Sequence, residues 1–425
     1  MYKKLIPSIV VAMSAALLMA GCTGSGSGTA TPTAGGATTT QATSAPAEPV
    51  TITFQNQFND AQTSAMQGLV AKFEAAHPEI KVNLLRDNDS SYYDKLVTQI
   101  TGGAGPDIAR VEPVKAPQYI AAGWALSLKD AITDQSAYIP STLEPVTKNG
   151  ELFGVPLDVE ALALFYRIDM LQAAGFSSPP ATWDELKTQT KALTHDGNYG
   201  IGLFGGWGAF EFYPWLWQAG GQMLNADGTE ATFNSPEAVS ALQLWVDLQK
   251  TVMPKGMATA TEDDLKGPFV SGNLAMLTSG PWMIPSMKQA GIDGKWGIAP
   301  LPAGKQAASV LGGMDLLVLK NSQHPDQAKT FISWLMQDEN IVQYYAAIGG
   351  LPVKTALYKD PAIASDPYVV AFKAVLEQAK ARPTVPASGD IDAALGEAVQ
   401  AALAGTMTPK EALDAAVAKA NEAMK

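Results

Sequence analysis

A chain of 425 residues with 47% hydrophobic residues can bury large cores, and its length suggests two domains. The formal net charge of −12 argues against a nucleic-acid partner and against adsorption to anionic lipid by charge. The single cysteine, Cys22, excludes an intrachain disulfide, and the three histidines lie far apart, so a metal site has no support. We therefore expect neither a metal nor a cofactor.

The first 21 residues are typical of a secretory signal peptide. Lys3 and Lys4 form a positively charged start, and the apolar run that follows is too short for a permanent membrane anchor. Small residues precede Cys22, and the segment resembles the lipobox of bacterial lipoproteins, which implies cleavage before Cys22 and attachment of lipid to it. The alternative is cleavage elsewhere by an ordinary signal peptidase. Residues 22–49 are almost wholly Gly, Ser, Thr, Ala and Pro, a composition that predicts a disordered tether.

Strands and helices alternate from the start of the next segment. Val50–Phe54 alternates apolar and polar residues as a strand does, and Ile80–Leu85 repeats the pattern. Between them the apolar residues from Met66 to Phe73 have helical spacing. A helix is predicted over Tyr92–Ile100 and a third strand over Asp107–Val111. This alternation predicts an α/β sheet.

Later helices are marked by their first residues. Thr182 and Thr408 each precede a glutamate by three positions, the pattern of a capping box, and Ser235-Pro236 is a cap followed by proline in the first turn. Asp315–Leu319 has the composition of a buried strand. From residue 325 onward the sequence predicts mostly helix.

Aromatic residues are concentrated between residues 203 and 221, where glycines interrupt the first half of the stretch. We expect a flexible loop that carries Trp207 and Phe210, followed by a helix from Phe212 whose aromatic rings are mostly core. Aromatic faces beside a polar group such as Glu211 suit a ligand that is apolar on its faces and polar at its edges, as a sugar ring is. The alternative is that these loop rings also fill a core.

Several short motifs, in this order and behind a lipoprotein signal, resemble the extracellular solute-binding proteins of sugar ABC transporters, the maltose-binding-protein family. The resemblance covers about residues 50–424. The motifs that carry it are Gly105-Pro106-Asp107-Ile108, Val155-Pro156 with the segment 159–167, Pro180 to Glu185, Gln218 to Gly221, Phe269 to Met276, Gly280-Pro281-Trp282, Pro300 to Pro302, Gly312-Gly313 and Pro409 to Ala412.

The resemblance implies an α/β, two-lobed periplasmic-binding-protein (Venus flytrap) fold with discontinuous lobes and a multi-segment hinge. Residues 50–157 and 313–360 would form lobe 1, and residues 158–312 and 361–425 would form lobe 2. It also implies a monomeric sugar-binding receptor without enzymatic activity. Such a receptor lies on the extracytoplasmic face of the cell membrane, held there only by a lipid anchor. It delivers a mono- or oligosaccharide to an ABC permease by hinge closure.

The family hinge has several crossing segments. Transferred to this chain, they fall near residues 157–160, 309–313 and 358–366.

Glu160 and Trp282 match positions that contact ligand in the family, and Trp207 and Phe210 fall near a family aromatic contact. For Glu160 and Trp282 the alternatives are a buried structural carboxylate and a core tryptophan. The region after Asp107 departs from classical maltodextrin binders, and in this region Glu112 would serve as the acceptor for a sugar hydroxyl group.

The departures count against maltodextrin itself as the ligand. Val111 and Val114 stand where those binders have an aromatic residue and an acid, and a segment beginning at Ser388 replaces a ring-stacking tryptophan. Four further candidates lie at strand ends or loops facing the expected cleft, where a solvated surface role is an equal alternative: Asn59, Asp158, Asp315 and Arg382.

The sequence is also compatible with two other functions. A cell-surface glycoside hydrolase needs an acid and a base or nucleophile that flank one bond, and Asp158, Glu160 and Glu211 are available. No spacing in the sequence pairs them. A carbohydrate-binding adhesin without a transport role is the second alternative.

Overall fold

The computed structural model describes residues 48–89 and 91–425. Residues 1–47, with the predicted signal peptide, Cys22 and nearly all of the predicted tether, lie outside this part. The strands are β1 (Val50–Asn56), β2 (Ile80–Arg86), β3 (Ile108–Val111), β4 (Thr147–Lys148), β5 (Glu151–Leu152), β6 (Val155–Ala161), β7 (Ala163–Arg167), β8 (Met276–Ser279), β9 (Trp296–Ala299), β10 (Ser309–Val318) and β11 (Ala379–Ala381). The helices are α1 (Asp60–Ala76), α2 (Tyr92–Thr101), α3 (Ala116–Ala121), α4 (Pro140–Leu143), α5 (Ile168–Ala173), α6 (Trp183–Leu193), α7 (Tyr213–Gln218), α8 (Pro236–Thr251), α9 (Glu262–Ser271), α10 (Ile284–Gln289), α11 (Pro325–Leu335), α12 (Asp338–Ile348), α13 (Pro361–Ala364), α14 (Pro367–Leu376), α15 (Ser388–Ala404) and α16 (Pro409–Ala423).

The larger sheet is built around the three strands predicted at the start of the folded body. Its order is β11-β10-β3-β1-β2, and β6 also pairs with β10. Strand β1 runs parallel to β2 and β3, because α1 and α2 supply the crossovers that parallel neighbours need. Strand β10 returns antiparallel to β3 and β6. Helices α1, α11 and α12 pack together beside this sheet. The sequence predictions for β1, β2, β3, α1 and α2 are confirmed.

The smaller sheet has the order β8-β7-β9 and is antiparallel throughout. Helix α14 packs on β9, and α7, α8, α15 and α16 form a neighbouring helical layer. Phe212 and Trp215 anchor that layer on Trp245, with ring centroids 5.4 and 5.9 Å apart, and all three rings are fully buried. The prediction that the helical half of the aromatic stretch is core is confirmed for these rings.

The two sheets are connected by the pair β6 and β10. These strands pair antiparallel from Leu311 opposite Ala161 to Leu316 opposite Val155, and β7 follows β6 after one residue. The register shifts between Met314 and Asp315. Gly313 beside this shift has φ 131°, a conformation that side chains rarely adopt, and a methyl group there would overlap the Asp158 carbonyl. The predicted first two crossings therefore lie on paired strands.

The glycine-rich half of the aromatic stretch is held more firmly than the sequence predicts. The Gly205 N–H donates to the Met257 carbonyl at 2.8 Å, and the Gly206 N–H donates to the Ala260 carbonyl at 2.9 Å. The Gln400 side chain also donates to the Gly205 carbonyl at 2.8 Å. The prediction of a flexible loop missed these bonds because all the partners are distant in sequence. Across residues 48–89 and 91–425, no helix has the length and apolar character needed to cross a membrane.

Candidate ligand-binding cleft

A cleft of about 600 Å³ lies against residues of β3, β6 and β10 in the larger sheet. Residues from β3, α2 and the start of α1 form one wall, and the segments around Trp207 and Trp282 form the other. The residues that line it are Gln57, Asn59, Gln62, Asn88, Asp89, Tyr92, Tyr93, Arg110, Glu112, Glu160, Trp207, Phe210, Asp263, Trp282, Gly312, Gly313, Met314 and Arg382.

Trp207, Phe210 and Trp282 form what we call the aromatic wall. The Trp282 ring centroid lies 6.1 Å from that of Trp207 and 6.3 Å from that of Phe210, and the rings are tilted relative to one another. Trp207 is 40% exposed, and the other two rings are half-buried. Such partly exposed aromatic faces can stack on the apolar face of a ligand. The loop and the Gly-Pro-Trp turn, separated by about 70 residues, thus meet in one surface.

The turn before Trp282 requires glycine. The Trp282 ring folds back over Gly280, so that a methyl group at Gly280 would overlap the ring. Pro281 then starts a short 3₁₀ helix, Pro281–Met283. This local geometry fixes where the indole emerges.

A buried carboxylate stands behind Trp282. Glu262 Oε2 accepts a hydrogen bond from Trp282 Nε1 at 2.8 Å and another from Ser279 Oγ at 2.5 Å. Burial raises the pKa of the Glu262 carboxyl from its ordinary 4.5 to about 7, although both hydrogen bonds lower it. This contact could not be predicted from the sequence, because Glu262 is the first of three acids in the first turn of α9, where acids are favoured by the helix dipole alone.

Glu211 lies outside the cleft, although the sequence placed it beside Phe210 as a ligand group. Its side chain is fully buried behind the aromatic wall, where the Thr278 hydroxyl donates to Glu211 Oε2. Burial raises the pKa of this carboxyl well above its ordinary value. The tight turn that precedes α7 directs Phe210 toward the cleft and Glu211 into the protein.

The opposite wall is polar at its rim and carries tyrosines. Asn59 caps α1, accepting from the Gln62 N–H at 2.9 Å, while its own N–H donates to the Gln62 side chain at 3.1 Å. Tyr93 Oη accepts from the Glu112 N–H at 3.1 Å. These bonds hold Asn59 and Glu112 at the cleft surface.

Arg382 joins the two walls. Its guanidinium lies 5.0 Å from the centre of the Phe210 ring, 3.6 Å from Glu112 Oε2 and 3.3 Å from Asp392 Oδ1. The side chain is almost fully buried, so the charge is shielded from solvent and balanced by the two carboxylates. It can still donate toward the cleft that it lines.

A second buried arginine, Arg110, lies in the floor of the cleft and lines it. Arg110 Nη2 is 3.6 Å from Asp158 Oδ2, and the guanidinium stacks on Phe58 at 5.0 Å. Burial raises the pKa of Asp158, and the charge of Arg110 opposes that rise. Half-buried Glu160 faces the cleft. Its pKa is raised to about 8, mainly by burial and to a smaller extent by the nearby charge of Asp158.

Seven of the ten predicted ligand-binding residues line the cleft: Asn59, Glu112, Glu160, Trp207, Phe210, Trp282 and Arg382. Glu211 does not. Asp158 and Asp315 are buried instead beside a small cavity of about 20 Å³, with Asp158 covered by Arg110. A solvated surface role for those two is therefore wrong.

Arg110, Tyr92 and Tyr93 were missed as cleft residues. A charged residue inside the otherwise apolar strand Ile108–Val111 was the available signal for Arg110. Among the residues that the structure describes, no three His, Cys, Asp or Glu side chains are grouped to hold a metal ion.

The raised pKa values of Glu160 and Glu262 predict that acidification stabilises the protein. A carboxyl whose folded pKa exceeds its unfolded value binds protons more tightly when folded, so the free energy of unfolding falls as the pH rises through that window. Lowering the pH from 8 to 6 is expected to raise the free energy of unfolding by at most about 1.4 kcal/mol per pH unit for each proton bound. Urea unfolding at pH 6, 7 and 8 measures this slope.

Glu262→Gln should flatten the slope, because it removes one of the two carboxyl groups whose pKa is raised into this pH range. A stability that increases from pH 6 to pH 8 in the wild type would contradict the assignment of raised pKa values.

Comparisons with known proteins agree with this architecture. A family model described as "Bacterial extracellular solute-binding protein" matches residues 68–371. A putative binding protein of Brucella abortus is 28% identical over 363 residues, which cover 83% of this chain and 88% of the relative. Among solved structures, an ABC transporter solute-binding protein of Thermotoga lettingae with bound α-D-tagatose has a TM-score of 0.81 and 28% identity, covering 88% of this chain and 100% of the other. A maltose-bound protein of T. maritima has a TM-score of 0.81 and 29% identity, covering 88% and 99%.

Proposed function

Because the chain belongs to the family of bacterial extracellular solute-binding proteins, we propose that it is the receptor of an ABC transporter for a mono- or oligosaccharide. The predicted two-lobed α/β Venus flytrap fold is confirmed by the solved structures it resembles. The observation that carries the proposal is the aromatic wall facing carboxylate, amide and guanidinium groups across a cleft of about 600 Å³. That combination matches the apolar faces and polar edges of a sugar ring.

Each wall has its own part in recognition. A pyranose or furanose face stacks on Trp282 and its neighbours Trp207 and Phe210. Its hydroxyl groups donate to Glu160 and Glu112, and other oxygens of the sugar accept from the two buried arginines, Arg110 and Arg382. Micromolar affinity corresponds to about −8 kcal/mol, which stacked rings and several charge-assisted hydrogen bonds can supply after desolvation.

Closure of the two lobes on the sugar is the proposed conformational step. The segments near 157–160 and 309–313 lie on the paired strands β6 and β10 that connect the two sheets, which supports a hinge there. We retain the lobe boundaries 50–157 with 313–360, and 158–312 with 361–425, and a third crossing near 358–366, as part of this proposal.

A thermal-shift screen against mono- and oligosaccharides tests the receptor function. A sugar that binds only the folded protein raises the apparent melting temperature, by an amount that grows with its concentration. Maltose, lactose, D-tagatose and glucose form the first panel. A complete absence of shifts across a broad panel of sugars would contradict the proposal.

The sugar that gives the largest shift is expected to be recovered unchanged after prolonged incubation, because we propose binding without catalysis. Chromatography of the incubated sugar measures this. Shorter products, formed at a rate that Glu160→Gln abolishes, would instead support the glycoside hydrolase. An adhesin would bind the sugar but fail to restore its uptake in a receptor-deletion strain.

We further propose that the receptor is a monomer held at the extracytoplasmic membrane face by lipid on Cys22. Cys22→Ser is expected to move the protein from the membrane fraction to the soluble fraction while sugar affinity stays unchanged, since none of the proposed sugar contacts comes from the segment around Cys22. Fractionation and immunoblotting measure the distribution, with Ser25→Ala in the same segment as the control. A Cys22→Ser protein that remains with the membrane would refute lipid anchoring.

A further inference from the structure

We propose that Glu262 is the positioning residue of the aromatic wall and that its carboxylate holds the Trp282 indole in the orientation that stacks on the sugar. The inference rests on the proposed function, because it takes Trp282 to contact the sugar. Glu262 itself does not line the cleft, so its effect on the sugar is indirect and acts through Trp282.

The geometry fixes the indole at two points. Trp282 Nε1 and Ser279 Oγ both donate to the same oxygen of Glu262, at 2.8 and 2.5 Å. Ser279 ends β8 and Trp282 follows three residues later, so the turn at Gly280 brings both donors to one acceptor. The ring also packs over Gly280, where no side chain can displace it. Only the remaining ring surface is left to face the cleft.

Above about pH 7, where Glu262 is mostly ionised, its charge strengthens this contact. A hydrogen bond to an ionised acceptor is shorter and roughly twice as strong as a neutral one. The groups that bear on its ionisation are Asp263 and Lys266 on its own helix, and Glu211, which faces it from the segment before α7. Lys266 donates to Ser286 at 2.8 Å. The side chain of Glu262 is 6% exposed, which leaves water little access as a competing donor.

Glu211 provides a matched control. It is a second buried glutamate behind the same wall, bonded to Thr278 next to Ser279, whereas the Trp282 indole N–H donates to Glu262. Glu211→Gln removes a neighbouring buried carboxyl while the Glu262–Trp282 hydrogen bond stays in place.

The first experiment needs no sugar. In protein labelled with ¹⁵N-tryptophan, Trp282→Phe identifies the Trp282 indole N–H resonance. We expect this resonance to lie downfield and to shift as the pH is raised from 5 to 9 and Glu262 ionises. Glu262→Gln should move it upfield and remove that pH-dependent shift, whereas Glu211→Gln should retain the shift. An indole resonance unaffected by Glu262→Gln would overturn the proposal, independently of whether the protein binds sugar.

The second experiment tests whether losing the Glu262 contact weakens sugar binding in the cleft. Affinity is measured by calorimetry with maltose, and with D-tagatose as a monosaccharide probe. At pH 8, where Glu262 is mostly ionised, Glu262→Gln is expected to weaken binding about tenfold, since a charge-assisted hydrogen bond is lost. In a Trp282→Ala background the same substitution should have no further effect, because contacts that act through one group are not additive. An equal loss in both backgrounds would show that Glu262 acts by another route and would overturn the positioning role. If neither sugar binds the wild type, the proposed function fails for these sugars while the resonance experiment still decides the role of Glu262.

Discussion

Replacing Trp282 with alanine is expected to weaken sugar binding by roughly 1–3 kcal/mol, a loss of affinity of about 5-fold to 150-fold. The reason is that the indole supplies a large flat contact that alanine cannot replace. Its cost to stability should stay below the roughly 3–5 kcal/mol of a deleted core tryptophan, because the ring is only half-buried in the free protein. Sugar should also change the tryptophan fluorescence, and the substitution should remove a large part of that change.

The decisive measurement is paired, with calorimetric affinity and urea midpoint determined on the same variant. Trp124→Ala is the matched control, since Trp124 is also half-buried but packs on Tyr119 beside the larger sheet, outside the cleft. It should lower the midpoint and leave the affinity intact. If Trp282→Ala instead lowers only the midpoint, Trp282 is a core residue, and the stacking surface reduces to Trp207 and Phe210.

Arg110→Met is expected to lower the free energy of unfolding by about 3–5 kcal/mol at neutral pH. Methionine keeps most of the side-chain length but leaves Asp158 buried without its cation, 3.6 Å away in the wild type. A single buried charge without a partner costs more than a buried pair contributes. Urea unfolding without sugar isolates this effect from any loss of binding.

The control is the double variant Arg110→Met/Asp158→Asn, which removes both charges. It should recover much of the lost stability, because neither partner is then left unpaired. The pH dependence gives a second check. Without Arg110 the folded pKa of Asp158 rises further above its unfolded value, so the variant regains stability as the pH falls toward about 5. A deficit that is independent of pH, with no recovery in the double variant, would show that packing on Phe58 rather than charge is what Arg110 supplies.

Local sequence determined most of the regular elements. The capping box predicted at Thr408 forms in full, since Thr408 Oγ1 accepts from the Glu411 N–H at 3.3 Å and Glu411 accepts from the Thr408 N–H at 3.0 Å. At Thr182 only half of the box forms, and Glu185 reaches the Ala181 N–H instead, at 2.7 Å. These bonds join residues within four positions, so the sequence pattern contains both partners.

The aromatic wall was predictable in composition but not in assembly. Clustered rings on a glycine-rich loop indicated Trp207 and Phe210, and the family resemblance indicated Trp282. The sequence could not show that these segments meet, because their approach depends on bonds from Gly205 and Gly206 to residues 257 and 260.

Tertiary structure alone decided which carboxylates face the cleft. Glu160 and Asp158 are two positions apart on β6, yet Glu160 lines the cleft while Asp158 is buried against Arg110. Glu211 follows Phe210 directly, but its side chain points into the protein and accepts from Thr278. Glu262, at the start of α9, accepts from the indole of Trp282, 20 residues later in the sequence. The direction of a charged side chain is set by the partner that offsets its desolvation, and each of these partners comes from a different part of the chain.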